Sequence, residues 1–185
     1  MKRIHRKNYN EPGHAHELTF SCYNRFAFLK AERTCRWLSE AINDARMEHR
    51  FNLWAYVFMP DHAHVIVWPR NATYDIARVR HAIKSPVGRK GIEHIEINAP
   101  DWLPRLIRKR GKKTERLFWQ SGGGYDRNIE TGCTLMKMIE YVHMNPVRKG
   151  LAQRARDWKW SSAGWYEGSR DGAPIAIDPI PSDWL

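Results

Sequence analysis

Hydrophobic and polar positions follow two different periods along the N-terminal part of the chain, and each change of period marks a predicted element. Residues 16–23 (HELTFSCY) are short, β-prone and loosely alternating, which predicts a first strand. Residues 31–50 carry apolar positions at the three- and four-residue spacing of an amphipathic helix. Two aromatic and β-branched runs follow, at residues 51–58 and 62–68, and Pro60 between them is typical of a turn. This pattern predicts a strand, a helix and a β-hairpin.

The middle of the chain is less regular. Residues 73–84 fit an amphipathic helix, which we expect to end before Pro86 because a proline disfavours helical geometry in the residue ahead of it. Residues 85–116 show no clear period and finish with the basic stretch IRKRGKKTER, which predicts a mobile basic loop.

Regular patterns return in the C-terminal part. Residues 118–120 and 125–129 flank a glycine-rich bend within a last strand region, and an apolar stripe predicts a helix from Thr131 or Thr134 to Pro146. The order strand, helix, strand, strand, helix, strand, helix predicts an α+β fold. We expect a ferredoxin-like (split βαβ) antiparallel sheet with helices packed on it.

The size of the chain fits one folded unit. Its 185 residues, 42% of them hydrophobic, predict a single domain over residues 1–185, with a core at about residues 14–165 and a surface-wrapping tail at residues 166–185. The few dispersed cysteines argue against a metal knuckle or a disulfide framework and fit a reducing compartment. We interpret all three as small core residues: Cys22, Cys35 and Cys133.

The formal net charge of +11 indicates a polyanionic partner, with nucleic acid favoured over an anionic membrane. The basic start resembles no signal peptide and no stretch could span a bilayer, so we expect a cytoplasmic location. The basic run at residues 108–113, with no compensating acid nearby, predicts contact with a DNA backbone, and Trp102 or Tyr74 could stack on an unpaired base. The candidate DNA-binding residues are Arg78, Lys84, Arg89, Arg108, Lys109, Arg110, Lys112, Lys113 and Arg127.

His62 and His64 are the first candidates for a metal site. In a strand, side chains two residues apart point to the same face, so two imidazoles could share a metal ion. Nine histidines in 185 residues give about 0.4 such pairs by chance, so the bare pair is a weak motif. A second pair, His14 and His16, stands at a loop-to-strand entry where we expect nothing to fix both rings. The alternative for His62 and His64 is a pair of surface or core-edge imidazoles.

Tyr141 and Asn145 are spaced i and i+4 on the last predicted helix, which brings both side chains to one helix face. One side chain could act while the other binds a metal. The alternatives are a half-buried packing tyrosine and a helix-terminal asparagine in a turn.

Two longer motifs carry a family resemblance. The segments FMPDHAHVIVWP (58–69) and EYVHMNPVRKGL (140–151) together resemble the single-tyrosine HUH transposases, in particular the REP-associated tyrosine transposases of bacteria. Lys84 and the pieces FWQ, YDRNI and DWKWSS agree with it, and the resemblance spans roughly residues 14–165. The chain departs from the pattern in the Gly122-Gly123-Gly124 run and in Ala63, the small residue between the two histidines.

The resemblance implies a function and a set of site residues. By it, Tyr141 is the nucleophile, His62 and His64 bind a divalent ion, and Asn145 is the third protein ligand. The expected cofactor is Mg²⁺ or Mn²⁺. The expected activity is cleavage of single-stranded DNA next to a hairpin through a 5'-phosphotyrosine, followed by rejoining. The partner is therefore single-stranded DNA with a palindromic hairpin, and the protein is expected as a monomer or a homodimer.

Three other functions remain open at this point. A non-catalytic nucleic-acid-binding module of RRM-like topology would stack bases on Trp54, Tyr56 and Phe58. A metal-dependent phosphodiesterase would activate water at the histidine pair, but it calls for converging carboxylates, and strand alternation is expected to turn Asp61 away from His62. Replication initiators and conjugative relaxases share the tyrosine chemistry but are normally longer.

Overall fold

The computed structural model describes residues 9–122, 124–169 and 173–185. The basic start of the chain and Gly123 of the glycine run lie outside these residues. The strands are β1 (Ala15–Ser21), β2 (Phe51–Met59), β3 (His62–Pro69), β4 (Ile107–Arg110), β5 (Lys113–Arg116) and β6 (Tyr125–Ile129). The α-helices are α1 (Glu32–His49), α2 (Ile76–Asn98), α3 (Gly132–His143), α4 (Asn145–Arg148) and α5 (Ala163–Tyr166). Short 3-10 helices lie at Tyr23–Arg25, Phe28–Lys30, Pro100–Leu106, Ala155–Asp157 and Ser182–Trp184.

The main sheet has the strand order β2-β3-β1-β6, and every neighbouring pair is antiparallel. Strands β1 and β2 are therefore parallel to each other with β3 between them, as a split βαβ unit requires. The predicted α+β fold with helices packed on an antiparallel sheet is confirmed.

The sheet separates two apolar clusters. Helices α1 and α2 cover one face, where the core includes Leu18 and Phe20 from β1. Helix α3 covers the other face, where Leu135 and Ile139 pack against Ile66 of β3. Alternation along each strand sends side chains to both clusters in turn. The strand residues under α3 thus share a face with one another, and this face carries the candidate chemistry.

Helix α2 extends well beyond its predicted end. It continues through Pro86 to Asn98, with Asp75 capping its first turn, so the predicted stop before Pro86 is wrong. Val87 and Gly91 are buried after the proline, and a Cβ at Gly91 would overlap the ring of Phe118. Packing of this second half against the core stabilises the helix enough to override the local proline effect.

The basic stretch at residues 107–116 is a β-hairpin and not a loop. Strands β4 and β5 pair in register, and Gly111 supplies the positive φ of the turn. Arg108 forms an ion pair with Glu115 across the hairpin, so the expectation of no compensating acid is wrong for this residue.

The C-terminal segment covers the outer edge of β2. Asp178 accepts a hydrogen bond from the backbone N–H of Leu53 and returns one from its own N–H, while Ile175 and Ile177 are buried in the core. Ser162 pairs with Tyr56 of β2 in the same way. Its hydroxyl accepts a hydrogen bond from the Tyr56 N–H, and its own N–H donates to the Tyr56 carbonyl. Described residues after Trp165 therefore contribute to the core.

The cysteine prediction is correct for two positions of three. Cys22 and Cys35 are buried, and burial raises the pKa of both thiols to about 12, which leaves them protonated and unreactive. Cys133 is exposed on α3, so its assignment to the core is wrong. None of the helices in the described part of the chain has the length and apolar character needed to cross a bilayer.

Candidate active site

His62 and His64 occupy the start of β3 and face α3. Their rings are 5.0 Å apart between centroids and nearly perpendicular. His64 pairs with Thr19 of β1 and with Val57 of β2, so it sits in the centre of the sheet. Both side chains are largely buried, with small edges exposed. The period-two pattern thus brings two imidazoles together on one face.

Each of the two histidines contacts a carboxylate through its Nδ1 atom. His64 Nδ1 lies 2.8 Å from Glu17 Oε1, and His62 Nδ1 lies 2.6 Å from Asp61 Oδ1. An ionised carboxylate only accepts hydrogen bonds, so both Nδ1 atoms carry the proton and both Nε2 atoms keep a lone pair. Carboxylates hold metal-binding histidines in the same way. The expectation that Asp61 turns away from His62 is wrong, because Asp61 belongs to the turn and does not follow strand alternation.

Thr19 completes the contact between β1 and His64. Its hydroxyl donates to Glu17 Oε1 at 2.5 Å and lies 2.9 Å from His64 Nδ1. Glu17 is 2% exposed, so this carboxylate is compensated by the hydroxyl and the imidazole rather than by water. The arrangement fixes the orientation of the His64 ring.

The electrostatics favour a neutral His62. Burial lowers the pKa of His62, and the nearby His64 adds to this, which outweighs the opposing effect of Asp61. Burial acts to raise the pKa of Asp61, but the hydrogen bond from His62 and the charge of Arg25 together hold it below its ordinary value. At neutral pH the pair is therefore an imidazole beside a carboxylate, the protonation state that a metal ligand requires.

Tyr141 faces the same region from α3. Its ring lies 6.0 Å from that of His64 and perpendicular to it, and the residue is 45% exposed. Arg148 places its guanidinium 4.8 Å from the centre of the tyrosine ring and donates to the Tyr141 carbonyl. A cavity of about 260 Å³ opens here, lined by Glu17, Thr19, His64, Tyr125, Arg127, Met138 and Tyr141.

Asn145 begins the short helix α4 directly after α3. Its amide nitrogen donates to the carbonyls of Tyr141 and Val142, which caps the end of the helix that carries the tyrosine. The residue is 7% exposed, and within the described chain its amide oxygen accepts no hydrogen bond. The described residues contain no cluster of three or more His, Cys, Asp and Glu side chains suited to a metal.

The second histidine pair has a different environment. His16 is fully buried on the opposite face of the sheet, with Nδ1 at 2.8 Å from Asp126 and Nε2 at 2.7 Å from the hydroxyl of Tyr74. The expectation that nothing fixes these rings is wrong for His16. Both ring nitrogens of His16 already have hydrogen-bond partners, which excludes this residue as a metal ligand. The Tyr74 hydroxyl is also engaged, because it is one of those partners.

The predicted DNA-binding residues separate into distinct groups. Arg127 lines the active-site cavity, while Lys84 and Arg89 line a groove beside α2. Arg78 is an exposed residue paired with Asp75. The remaining cations lie on the β4–β5 hairpin, where these four are exposed: Lys109, Arg110, Lys112 and Lys113.

Several site residues escaped the analysis of the sequence. Glu17 and Thr19 come from β1, and their only local signal is that they are polar residues at alternate positions of the strand. Tyr125 lies within the piece YDRNI, which contributes to the family resemblance but does not by itself indicate a site residue. The aromatic residues that an RRM-like module would need, Trp54 and Tyr56 among them, are fully buried and cannot stack on bases.

The strand order, the histidine pair on an inner strand and the tyrosine on the helix above it agree with the resemblance to single-tyrosine HUH transposases that the two sequence motifs carry. A curated protein of Haemophilus influenzae, provisionally named a REP-associated tyrosine transposase, is 24% identical over 167 aligned positions that cover 86% of this chain and 85% of the relative. A solved REP-associated tyrosine transposase bound to a REP hairpin has a TM-score of 0.67 at 18% identity, and the match covers 99% of this chain and 98% of that one. No family model matches the chain. The predicted resemblance to REP-associated tyrosine transposases is confirmed in sequence and in fold.

Proposed function

We propose that the protein is a transposase-type enzyme that cuts single-stranded DNA beside a hairpin and rejoins it, with Tyr141 as the nucleophile and a divalent metal ion as cofactor. The observation that carries the proposal is the shared cavity, in which the half-exposed Tyr141 faces His64 at 6.0 Å between rings. The similarity to REP-associated tyrosine transposases, one of them solved with a REP hairpin, supports the same chemistry and the same kind of substrate.

The strand is cut by transfer to the tyrosine. The Tyr141 oxygen forms a bond to phosphorus while the bond from phosphorus to the 3' oxygen breaks. The phenol loses one proton and the leaving oxygen gains one, which gives a 5'-phosphotyrosine and a free 3'-hydroxyl. Because the covalent bond preserves the energy of the phosphodiester, a 3'-hydroxyl can attack it in reverse and rejoin the strand.

The residues present fit a divalent ion. His62 and His64 each have Nε2 available because Nδ1 is held by a carboxylate, and the amide oxygen of Asn145 is not used within the described chain. When bound, Mg²⁺ or Mn²⁺ would polarise the scissile phosphate and ease departure of the 3' oxygen. A neutral set of two imidazoles and one amide leaves coordination positions for phosphate oxygens.

Arg127 supplies a positive charge on the other side of the cavity. It lies on β6 opposite Glu17 in the strand register, yet its guanidinium forms no ion pair with a carboxylate within the described residues. A guanidinium without an anionic partner can bind two phosphate oxygens at once. We assign to Arg127 the orientation of the scissile phosphate toward Tyr141.

The site needs only one chain. Tyr141 and His64 of the same molecule line the same cavity, so a partner subunit need not supply the nucleophile. The four exposed cations of the β4–β5 hairpin are free to contact the phosphates of a DNA hairpin.

The decisive experiment is the replacement Tyr141→Phe. A DNA hairpin with an unpaired flank, labelled at its 3' end, is incubated with Mn²⁺ and resolved on a denaturing gel. The wild type should retard the label as a covalent adduct, whereas Tyr141→Phe should give neither adduct nor cleavage while binding DNA almost normally. Tyr125→Phe is the matched control, because it removes the other phenol of the same cavity and should leave the adduct in place.

One observation favours a second candidate function. Glu17 and Asp61 are carboxylates within hydrogen-bond distance of the two histidines, and carboxylates are what a phosphodiesterase would use to activate water. Cleavage by Tyr141→Phe without an adduct would establish that function in place of the tyrosine transposase.

A further inference from the structure

A second concave surface lies on the opposite side of the sheet from the histidine pair. It runs between α2 and the segment before β6 and encloses about 510 Å³. We call it the α2 groove and define it by Arg80, Lys84 and Arg89 on α2 and by Arg116, Trp119 and Gly122 across from them.

The α2 groove concentrates positive charge. Arg80 is 7% exposed and is held by Asp126, which also binds His16. Lys84 stands one helical turn further on, and no carboxylate in the described chain pairs with it. Burial, together with the charge of Arg80, lowers the pKa of Lys84 to about 8. Arg89 has neither a hydrogen-bond nor an ion-pair partner among the residues described. Two neighbouring cations in a partly buried site repel each other, and a bound anion would relieve that repulsion.

The α2 groove and the active-site cavity approach each other at Gly122 and Gly124, which together we call the glycine turn. The Lys84 ammonium donates to the carbonyl of Gly122 at 3.2 Å. Two residues later, Gly124 has a φ of 72° and packs so closely on Thr19 that a Cβ there would overlap the Thr19 carbonyl. Thr19 in turn contacts His64. The two sites are therefore linked by a few direct contacts around one end of the sheet, at Gly122 and Gly124, which carry no side chains.

We propose that the α2 groove binds the phosphodiester backbone of the unpaired DNA strand that continues from the scissile phosphate around the glycine turn. Lys84 and Arg89 contact phosphates, and the fixed Trp119, whose indole N–H donates to the Lys84 carbonyl, forms the wall of the groove. This inference rests on the proposed function, because it takes the strand at Tyr141 to be DNA.

The alternative occupant is a small anion with the same chemistry, such as free phosphate. A strand is favoured because the cations extend along α2 from Arg80 to Arg89, over more than two helical turns, and a single phosphate spans much less. The position of the α2 groove next to the cavity that contains Tyr141 also favours a strand, because a DNA strand would pass through both sites, whereas a free anion would bind in only one.

Binding can be measured with fluorescence anisotropy on two labelled DNAs, one bare hairpin and the same hairpin with an unpaired extension. Tyr141→Phe is used as the background so that no DNA is cut. The double variant Lys84→Gln/Arg89→Gln should raise the Kd for the extended hairpin about tenfold near 0.1 M salt and reduce the salt slope by about 1.4, the value for two single-strand phosphate contacts. Its Kd for the bare hairpin should change little.

Lys90→Gln is the matched control. It removes one positive charge from the same helix, but Lys90 pairs with Glu40 of α1 and does not line the groove. Melting curves show whether each variant is folded, and the exposed Arg89→Gln alone tests the proposal if the double variant is not.

Equal losses on the two DNAs would overturn the proposal in favour of contact with the hairpin stem. No loss on either would also overturn it. Stabilisation of the wild type, but not of the variant, by millimolar phosphate with unchanged DNA binding would assign the groove to a small anion instead. None of these results depends on the covalent adduct, so failure here is distinct from failure of the tyrosine mechanism.

Discussion

The two His-x-His pairs of this chain are identical in sequence, and they differ in which ring nitrogens are already used. In His16 both nitrogens are taken, one by Asp126 and one by Tyr74, and the ring is a buried structural link. In His62 and His64 only Nδ1 is hydrogen-bonded within the described residues. Strand spacing places two imidazoles on one face only for His62 and His64, which both lie in β3, because His14 precedes the first residue of β1. The hydrogen bonds of the surrounding strands decide which pair can bind a ligand.

Among the variants that test this difference between the two pairs, His64→Ala should have the largest effect on activity. Loss of one of the three proposed ligands should reduce metal-dependent cleavage by at least about a hundredfold, since the two remaining ligands would bind a hard ion poorly. The melting temperature should change little on treatment of the wild type with chelator, because the apolar clusters do not depend on an ion. Cleavage assays and melting curves measured side by side check this, with Mg²⁺ or Mn²⁺ restoring the stripped wild type but not the variant. Full cleavage in excess chelator would remove the metal from the mechanism.

His16→Ala should show the opposite behaviour. It removes one buried hydrogen-bond partner from each of Asp126 and Tyr74, which should lower the free energy of unfolding by about 3 kcal/mol and the melting temperature by several degrees. Metal affinity of the folded protein should be unchanged. Urea denaturation combined with Mn²⁺ titration gives both quantities, and His14→Ala serves as the milder control from the same pair. A loss of metal binding in folded His16→Ala would mean that the two pairs are not independent.

The smallest expected effect comes from Glu17→Gln, which tests whether the carboxylate of Glu17 keeps His64 in the state that can bind a metal. Glu17→Gln keeps the size of the side chain but removes the charge that holds the proton on Nδ1, so Mn²⁺ affinity should fall about ten- to a hundredfold. The decrease of the free Mn²⁺ signal in electron paramagnetic resonance measures this without any cleavage assay. Glu130→Gln removes an exposed charge at the end of β6 and should leave the affinity unchanged. If the two variants bind Mn²⁺ equally well, the carboxylate has no part in positioning the ligand.

The sequence was sufficient where a feature depends on local spacing. Period two put His62 and His64 on one face, and the apolar stripe of α3 placed Tyr141 at its exposed edge. Prediction from the sequence failed where contacts between distant segments determine the structure. The partner of His64 is Glu17, 47 positions away, and only the β1–β3 register brings them together. Helix α2 passes Pro86 because Gly91 packs on Phe118, a contact that no local rule contains.

The alternation rule failed for a different reason at Asp61. It applies inside a strand, and Asp61 precedes the first residue of β3, so its carboxylate can fold back onto its neighbour. Strand alternation therefore gives the wrong direction for Asp61, and it does not argue against a metal-dependent phosphodiesterase.

The C-terminal segment has a consequence for anyone who shortens this protein. Strand β2 is an outer strand, and its backbone groups are paired by Trp160, Ser162 and Asp178. Removing that segment would leave an open row of donors and acceptors beside buried aromatic side chains, which is a template for adding strands from other molecules. Truncated forms should therefore self-associate and precipitate, and a loss of activity in them would report aggregation rather than a missing catalytic group.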